Sequence, residues 1–273
     1  MKLSFTKMNG LGNDVMILPW PSAHVPPAPE LVRRLSDRRR GVGFDQLLLV
    51  DSEHPSAGNA SYRVFNADGG EVQQCGNGVR CLARYLAPRL GNELTLVSPA
   101  GVIAARVSSG DDVSVDLGVP DFRPAALPFA VPAERDRYRL EVAGRIVELG
   151  AVSMGNPHAV VPVEAVATAP VAELGAALQS HPSFPQSVNV GFMERQSERR
   201  ILLRVYERGV GETLACGTGA AAAVAVGRRW GQLGEEVEVE LPGGVLKVNW
   251  PGPGARLWQT GPTASVYEGS IEL

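Results

Sequence analysis

Two stretches, Tyr62–Val79 (YRVFNADGGEVQQCGNGV) and Leu203–Ala220 (LRVYERGVGETLACGTGA), align without a gap at an offset of 141 residues. Seven of the 18 columns are identical, ending on Cys75/Cys216, Gly76/Gly217 and Gly78/Gly219. Average composition would give roughly one or two such identities. Further anchors recur at an offset of 143: Gly12-Asn13 with Gly155-Asn156, Ser98–Val102 with Leu241–Val245, and Gly118 with Gly261. A period this long means two tandem copies of one unit, since solenoid repeats run about 20–50 residues.

Each copy reads in the same order. The first opens with a strand at Leu3–Lys7, a Gly/Asn loop at Met8–Asp14 and a returning strand at Val15–Leu18. A helix over Glu30–Arg39 and strands at Phe44–Val50 and Ser61–Asn66 lead into the first cysteine loop. A helix over Gly76–Ala87 follows, with Val79, Leu82, Ala83 and Leu86 on one face, and Pro88 is expected to stop it. A meander of Glu93–Val97, Val102–Val107 and Asp112–Leu117 closes the copy.

The second copy has strands at Val147–Val152 and Ile201–Tyr206, helices at Val171–Gln179 and Gly217–Trp230, and a meander of Glu236–Leu241, Leu246–Trp250 and Ala255–Gln259. Pro120–Pro132, with a proline at every fourth position, reads as a linker. The run Ala220–Val226 has almost no polar face, so its helix should be buried all round. The expected class is α+β: two pseudo-symmetric domains from an internal duplication, each a barrel-like mixed β-sheet wrapped around a central helix. The boundaries read as 1–117, with 263–273 returning to it, and 118–262.

Composition narrows the function. A net charge of −3 gives no electrostatic reason to bind nucleic acid or an anionic membrane. The one basic cluster, Arg33–Arg40, reads as a solvated helix end. No apolar run reaches the 18 or so residues of a membrane helix, and the N-terminus lacks a signal-peptide core. Three cysteines, an odd number, point to free thiols in a reducing cytoplasm. The oligomeric state is left open, a homodimer being one option.

Cys75 and Cys216 each sit between a strand and the start of a helix. Unpaired N–H groups and the helix dipole there should lower a thiol's pKa and cradle a carboxylate. Two thiols at equivalent repeat positions suit inversion of a stereocentre next to a carboxylate: one removes a proton from one face and the other supplies one to the opposite face. They should titrate as a coupled pair. Cys81, whose repeat counterpart is Ala222, reads as core packing. With lysines only at 2, 7 and 247, and none in a Schiff-base context, a pyridoxal cofactor is not expected. No metal is expected either, because five residues separate Cys75 from Cys81 and no zinc-type ligand spacing appears.

Asn13, Asn66, Asn77, Asn156 and Asn189 lie in loops among apolar strands. Glu207-Arg208 stands where the first copy has Asn66-Ala67. That charged pair could bind a zwitterion, since arginine reads carboxylates bidentately, or could be a structural ion pair. His158 could orient substrate or fill a polar gap.

Met8–Asp14, Asp45-Gln46, Phe65–Gly69 with Cys75–Cys81, Gly155-Asn156-Pro157-His158, Val188-Asn189 and Tyr206–Thr213 with Ala215–Gly219 together closely resemble the diaminopimelate epimerase family, from Phe5 to about Gly261. Gly70 and Phe44 depart from it, standing where serine and alanine are expected. The resemblance implies a cofactor-independent enzyme that interconverts LL- and meso-2,6-diaminopimelate for lysine and peptidoglycan precursors. It implies Cys75 and Cys216 as the catalytic pair. The reacting carboxylate falls to the amides at Gly76-Asn77 and Gly217-Thr218, and the distal amino-acid centre to Asn66, Asn189 and Arg208, with Asn156 nearby. Asn13, Gln46, His158 and Glu207 carry over as supporting polar groups. A proline racemase of the same scaffold, a cysteine hydrolase using His158, a zinc or redox protein and a non-enzymatic binding protein are the rival readings. The first lacks a second charged substrate centre, the second needs only one cysteine, and the last leaves the matched thiols without a role.

Overall fold

The computed structural model describes residues 2–21, 23–53, 59–72 and 76–272. By its internal contacts the chain divides into residues 1–116 with 260–273, and residues 117–259.

In the first unit, β1 (Lys2–Gly10) and β2 (Asn13–Pro19) form a hairpin, followed by α1 (Pro29–Ser36), β3 (Gln46–Asp51), β4 (Ala60–Asn66) and the short β5 (Glu71–Val72). Helix α2 (Gly76–Leu90) then precedes β6 (Glu93–Ser98), β7 (Gly101–Val107) and β8 (Asp112–Asp116). The second unit contains β9 (Tyr138–Val142), β10 (Arg145–Ser153), β11 (Pro157–Pro162), α3 (Val171–Gln179), β12 (Asn189–Ser197), β13 (Arg200–Glu207), β14 (Gly211–Thr213), α4 (Gly217–Arg229), β15 (Glu236–Leu241) and β16 (Gly244–Asn249). Strand β17 (Trp258–Pro262) carries the chain back, and β18 (Ala264–Glu272) pairs antiparallel with β1.

The duplication is written in the strand registers. In the first unit β2 and β3 run parallel with Val15 opposite Gln46; in the second β11 and β12 run parallel with His158 opposite Asn189, both partners shifted by 143. Leu47 opposite Phe65 is repeated as Val190 opposite Tyr206. Ala60 opposite Leu96 becomes Ile201 opposite Val239, and Leu96 opposite Ile103 becomes Val239 opposite Leu246. Because a one-residue slip would turn every side chain to the other face, these shared registers put equivalent residues on equivalent faces. The same logic explains two of the identical columns. Arg63 grips Glu71 bidentately at 2.7 and 2.6 Å across β4–β5, and Arg204 grips Glu212 at 2.6 and 2.9 Å across β13–β14. Each clamp ties down the hairpin that leads into a cysteine.

Both faces of each sheet are covered, which is why Val15–Leu18 and Leu47–Val50 are unbroken apolar runs. In the first unit Met16, Leu18, Leu47, Leu49 and Phe65 pack with Val32 and Leu35 of α1. Helix α2 lies against β1, β2, β3, β6, β7 and β8. In the second, Leu149, Ala151, Ala159, Val161, Val190 and Phe192 pack with Val171, Leu174 and Leu178 of α3, while α4 lies against β10–β13 and β16. Ala220–Ala225 are completely shielded from solvent, as a helix without a polar face requires. Each unit is therefore a mixed sheet wrapped on a buried central helix.

Several local readings differ. The expected loop at Met8–Asp14 is a tight hairpin turn, with Leu11 (φ 57°) and Gly12 (φ 84°) both left-handed as a two-residue primed turn demands. Pro88 does not end α2: it sits in the last turn, and the helix runs on to Leu90 before Gly91 (φ 90°) terminates it. Pro120–Pro132 is packed into the second unit, with Leu127 and Phe129 buried in the α3-side core and Asp121 bridging Ser153. Strands β9, β11 and β12 lay outside the sequence reading. The strand expected at Ala255–Gln259 starts at Trp258, because Gly252 (φ 138°) and Gly254 (φ 81°) keep the preceding segment irregular.

Candidate active site

Three of the expected substrate-binding residues of the first unit are joined in one relay. The amide of Asn13, first residue of β2, donates to Gln46 Oε1 at 3.2 Å, and Gln46 Nε2 donates to Asn66 Oδ1 at 3.2 Å. These residues begin β2, begin β3 and end β4, so the sheet register lines up three amides along one edge. The relay is braced by charges that the sequence reading missed. Arg38 bonds Asp14 at 2.5 Å and Asp45 at 2.7 Å, the backbone N–H of Asp14 donates to Asp45, and buried Lys7 bonds the Gly43 carbonyl at 2.6 Å and Asp14 at 3.3 Å. The Arg33–Arg40 cluster is thus not wholly solvated, because Arg38 folds back on the β1–β2 hairpin. Its lone signal in sequence was two aspartates flanking the relay residues.

Gly76 and Asn77 occupy the first turn of α2 and are buried. The Asn77 side chain accepts from Arg80 Nη2 at 2.7 Å, inside a helix whose Arg80 is fully enclosed. Cys81 is completely buried within α2, as core packing predicts. Cys75, together with Gln73 and Gln74, lies outside the described residues.

The second unit gathers its expected residues around Cys216, which caps α4 in extended geometry (φ −115°, ψ 108°) and is buried. Its sulfur lies 3.7 Å from the Thr218 hydroxyl and takes a bond from the Gly219 backbone N–H. Thr218 accepts from Asn156 Nδ2 at 3.3 Å, and Asn156 Oδ1 meets His158 Nε2 at 2.9 Å. With Asn156 donating to Thr218, its oxygen takes a proton from the ring, so His158 is the Nε2–H tautomer. Burial, and then the charge of Arg208, push the His158 pKa down to about 3, so the ring is neutral.

The Cys216 thiol departs from expectation. Its pKa is raised well above 9.0, first by burial and then by the negative charge of Glu207, to which the thiol also donates. The Gly219 N–H and the Thr218 hydroxyl do pull it down, as the helix-start argument required, but they lose to burial. Glu207 is itself held by the Thr213 hydroxyl at 2.5 Å. Thr213 was not singled out in sequence, though it lies in the duplicated segment at a position where the first copy has Val72.

Asn189 is held in place from both ends of its amide. Its amide donates to the Pro157 carbonyl at 3.0 Å, and its oxygen accepts the Arg208 backbone N–H at 2.9 Å. The exposed Arg208 guanidinium bonds the Gln186 carbonyl at 3.1 Å. Gly217 opens α4, and its carbonyl receives Gln259 Nε2 at 2.6 Å from a fully buried side chain. Gln259 was invisible as a site residue because it lies 42 residues from Gly217 with no motif around it.

The second unit thus offers a buried, protonated thiol at a helix start, flanked by a carboxylate, a hydroxyl and a backbone donor. Such a group can give a proton to a carbanion and receive one back. Among the described residues no helix is long and apolar enough to cross a membrane.

Comparison with known proteins bears on which carbanion. The chain is 50% identical over 278 residues to the diaminopimelate epimerase of Alkalilimnicola ehrlichii, covering 100% of both chains. It is 50% identical over 274 residues to that of Halorhodospira halophila, covering 99% of this chain and 96% of the other. Among solved structures, a probable proline racemase from Agrobacterium radiobacter K84 superposes with a TM-score of 0.73 at 17% identity, covering 99% of this chain and 93% of that one. A hydroxyproline epimerase from Agrobacterium vitis gives 0.70 at 17%, covering 99% and 92%. At that identity these two speak for the fold alone. The family model for diaminopimelate epimerase matches residues 5–123 and 150–266, one stretch on each side of the duplication. With full-length relatives at half identity on the same side, the chain belongs to the diaminopimelate epimerase family, isomerases of lysine biosynthesis that act on a small amino acid.

Proposed function

We propose that Cys75 and Cys216 work as a coupled acid/base pair on opposite faces of one α-carbon of diaminopimelate, interconverting the LL and meso forms without a cofactor. The observation that carries this reading is the setting of Cys216, a buried thiol kept protonated by burial and by Glu207. A pair sharing one proton then rests with that proton on Cys216 and with Cys75 as the thiolate.

The Cys75 thiolate takes the α-proton. The electron pair left on carbon spreads into the adjacent carboxylate, and the Cys216 thiol gives its proton to the opposite face. One C–H bond breaks and one forms; one thiolate is consumed and one is produced. The reverse direction exchanges the roles. As charge builds on the carboxylate, the backbone amides at Gly76-Asn77 and Gly217-Thr218 supply preorganised donors. Glu207, by its negative charge and as acceptor of the thiol's hydrogen bond, keeps that proton on Cys216 until the carbanion takes it.

Asn66, Asn189 and Arg208 bind the distal amino-acid centre in this reading, with Asn156 near them, while Asn13, Gln46 and His158 hold them in place. The relay through Gln46 and the Asn189–Arg208 joint support it by fixing these groups before substrate arrives. Each duplicated unit acts as one epimerase domain and contributes one cysteine. A reducing cytoplasm fits the free thiol of Cys216.

Proton NMR of diaminopimelate in D₂O tests the pair. The wild type should exchange the α-proton while interconverting the isomers, and Cys75→Ala and Cys216→Ala should each abolish interconversion. Interconversion surviving in either variant would remove the two-thiol mechanism. Arg208→Lys, which loses a bidentate contact, should raise KM for diaminopimelate.

A further inference from the structure

We infer that Gln259 is a positioning residue for the reaction: by donating to the Gly217 carbonyl it orients and polarises the Gly217–Thr218 peptide, whose N–H holds the substrate carboxylate. The inference rests on the carboxylate-binding reading above and goes beyond it, because it gives a part to a side chain which that reading leaves out.

The geometry is direct. Gln259 Nε2 lies 2.6 Å from the Gly217 oxygen, and the side chain is completely buried. A peptide unit is planar and trans, so its C=O and N–H point in opposite directions. A donor fixed on the Gly217 carbonyl therefore fixes the Thr218 N–H pointing the other way, out of the start of α4. Gly217 is the first residue of the helix, and glycine leaves this turn its widest backbone freedom. A second glycine, Gly219, follows two residues on. A turn so free needs an external anchor if its donors are to stay aimed, and preorganisation is the source of such a donor's effect on a developing charge. Withdrawing electron density from the carbonyl oxygen also makes the N–H of the same peptide a stronger donor, since chained hydrogen bonds polarise one another.

The duplication sets this anchor apart. Gln259 corresponds, at the offset of 143, to Asp116, the buried last residue of β8 in the first unit. A carboxylate cannot donate to a carbonyl as an amide does. The amide donor from this strand position is thus particular to the second unit.

The test uses the full-length enzyme with Gln259→Met, which keeps shape and loses the donor, and Gln259→Glu. Transition-state charge is what the peptide meets, so kcat for Gln259→Met should fall about tenfold while KM changes less than about twofold. In ¹⁵N–¹H spectra the Thr218 amide proton should move upfield, with the resonances of Ala222–Val226 unmoved. Gln259→Glu should recover activity at low pH, where the neutral acid donates to Gly217, and lose it as pH rises through the burial-raised pKa of the new group. A kcat within twofold of wild type, a shift spread through all of α4, or a pH profile for Gln259→Glu that matches Gln259→Met would each overturn the inference. The fate of Cys216→Ala in the exchange experiment judges the underlying site separately: loss there with a silent Gln259→Met sinks only the present proposal.

Discussion

The ring nitrogen of His158 lies 2.9 Å from the side-chain oxygen of Asn156, and that bond uses the only proton the buried ring carries. His158 is opposite Asn189 in the parallel β11–β12 pair, so its neutrality is a property of the sheet interior and not of a solvent-facing switch.

The folded-state pKa of about 3 lies below the 6.5 of the free side chain. The unfolded chain therefore binds one more proton between those values, and stability falls with acid there at up to ~1.4 kcal/mol per pH unit. Above pH 6.5 the group contributes no slope. Urea titrations at several pH values should show that His158→Gln flattens the acid limb by about one proton. The His158 ring resonances should not titrate between roughly pH 5 and 8, where an ordinary histidine does.

Cys216 sets the opposite limit. Its folded pKa lies above the 9.0 of the free thiol, so the stability associated with the buried S–H is complete below pH 9.0 and is lost as pH rises toward the folded value. Glu207→Gln removes a negative charge and should bring that pKa down, leaving burial as the remaining upward cause. In a Cys75→Ala background, iodoacetamide should label Cys216 faster at pH 8 once Glu207 is neutralised. An unchanged labelling rate would mean the carboxylate does not govern the thiol.

Much of this was legible in sequence because it is local or repeated. The seven identical columns mark the strand, the bidentate Arg–Glu clamp and the Cys-Gly-x-Gly helix start, and equal strand registers follow once both copies fold alike. The alanine run announced the buried helix. What escaped depends on tertiary approach. The direction of the Cys216 shift follows from total burial, and the Gln259–Gly217 and Arg38–Asp14 bonds join residues 42 and 24 apart. Pro88 misled because the packed helix absorbs the loss of a single N–H bond, the one to the Arg84 carbonyl, and it is Gly91, three residues on, that ends it.

Gly219 leaves room for the sulfur. A Cβ built there would meet Val205 Cγ2 at 3.0 Å and both Cβ and Sγ of Cys216 at 3.2 Å. Gly219→Ala should therefore displace the thiol from its backbone donor. Overpacking of this kind costs about 1–3 kcal/mol, and kcat should drop more than stability alone explains. Folded protein with wild-type kcat, measured well below its Tm, would contradict this account of the helix start.

Gln46 is the middle of the Asn13–Gln46–Asn66 relay, so its removal takes a hydrogen bond from two amides at once. Gln46→Leu keeps the bulk and deletes both bonds. Each lost bond of a half-buried amide is worth about 0.5–1.5 kcal/mol, which places the stability cost near 1–3 kcal/mol. The larger effect should fall on binding. With Asn13 and Asn66 no longer held in register, KM for diaminopimelate should rise roughly tenfold while kcat falls less, because the relay acts on substrate position and not on either thiol. Asn66→Ala should then add little to Gln46→Leu, since both delete one unit of the same network. Additive losses in that double mutant would show that Asn66 binds substrate independently of the relay.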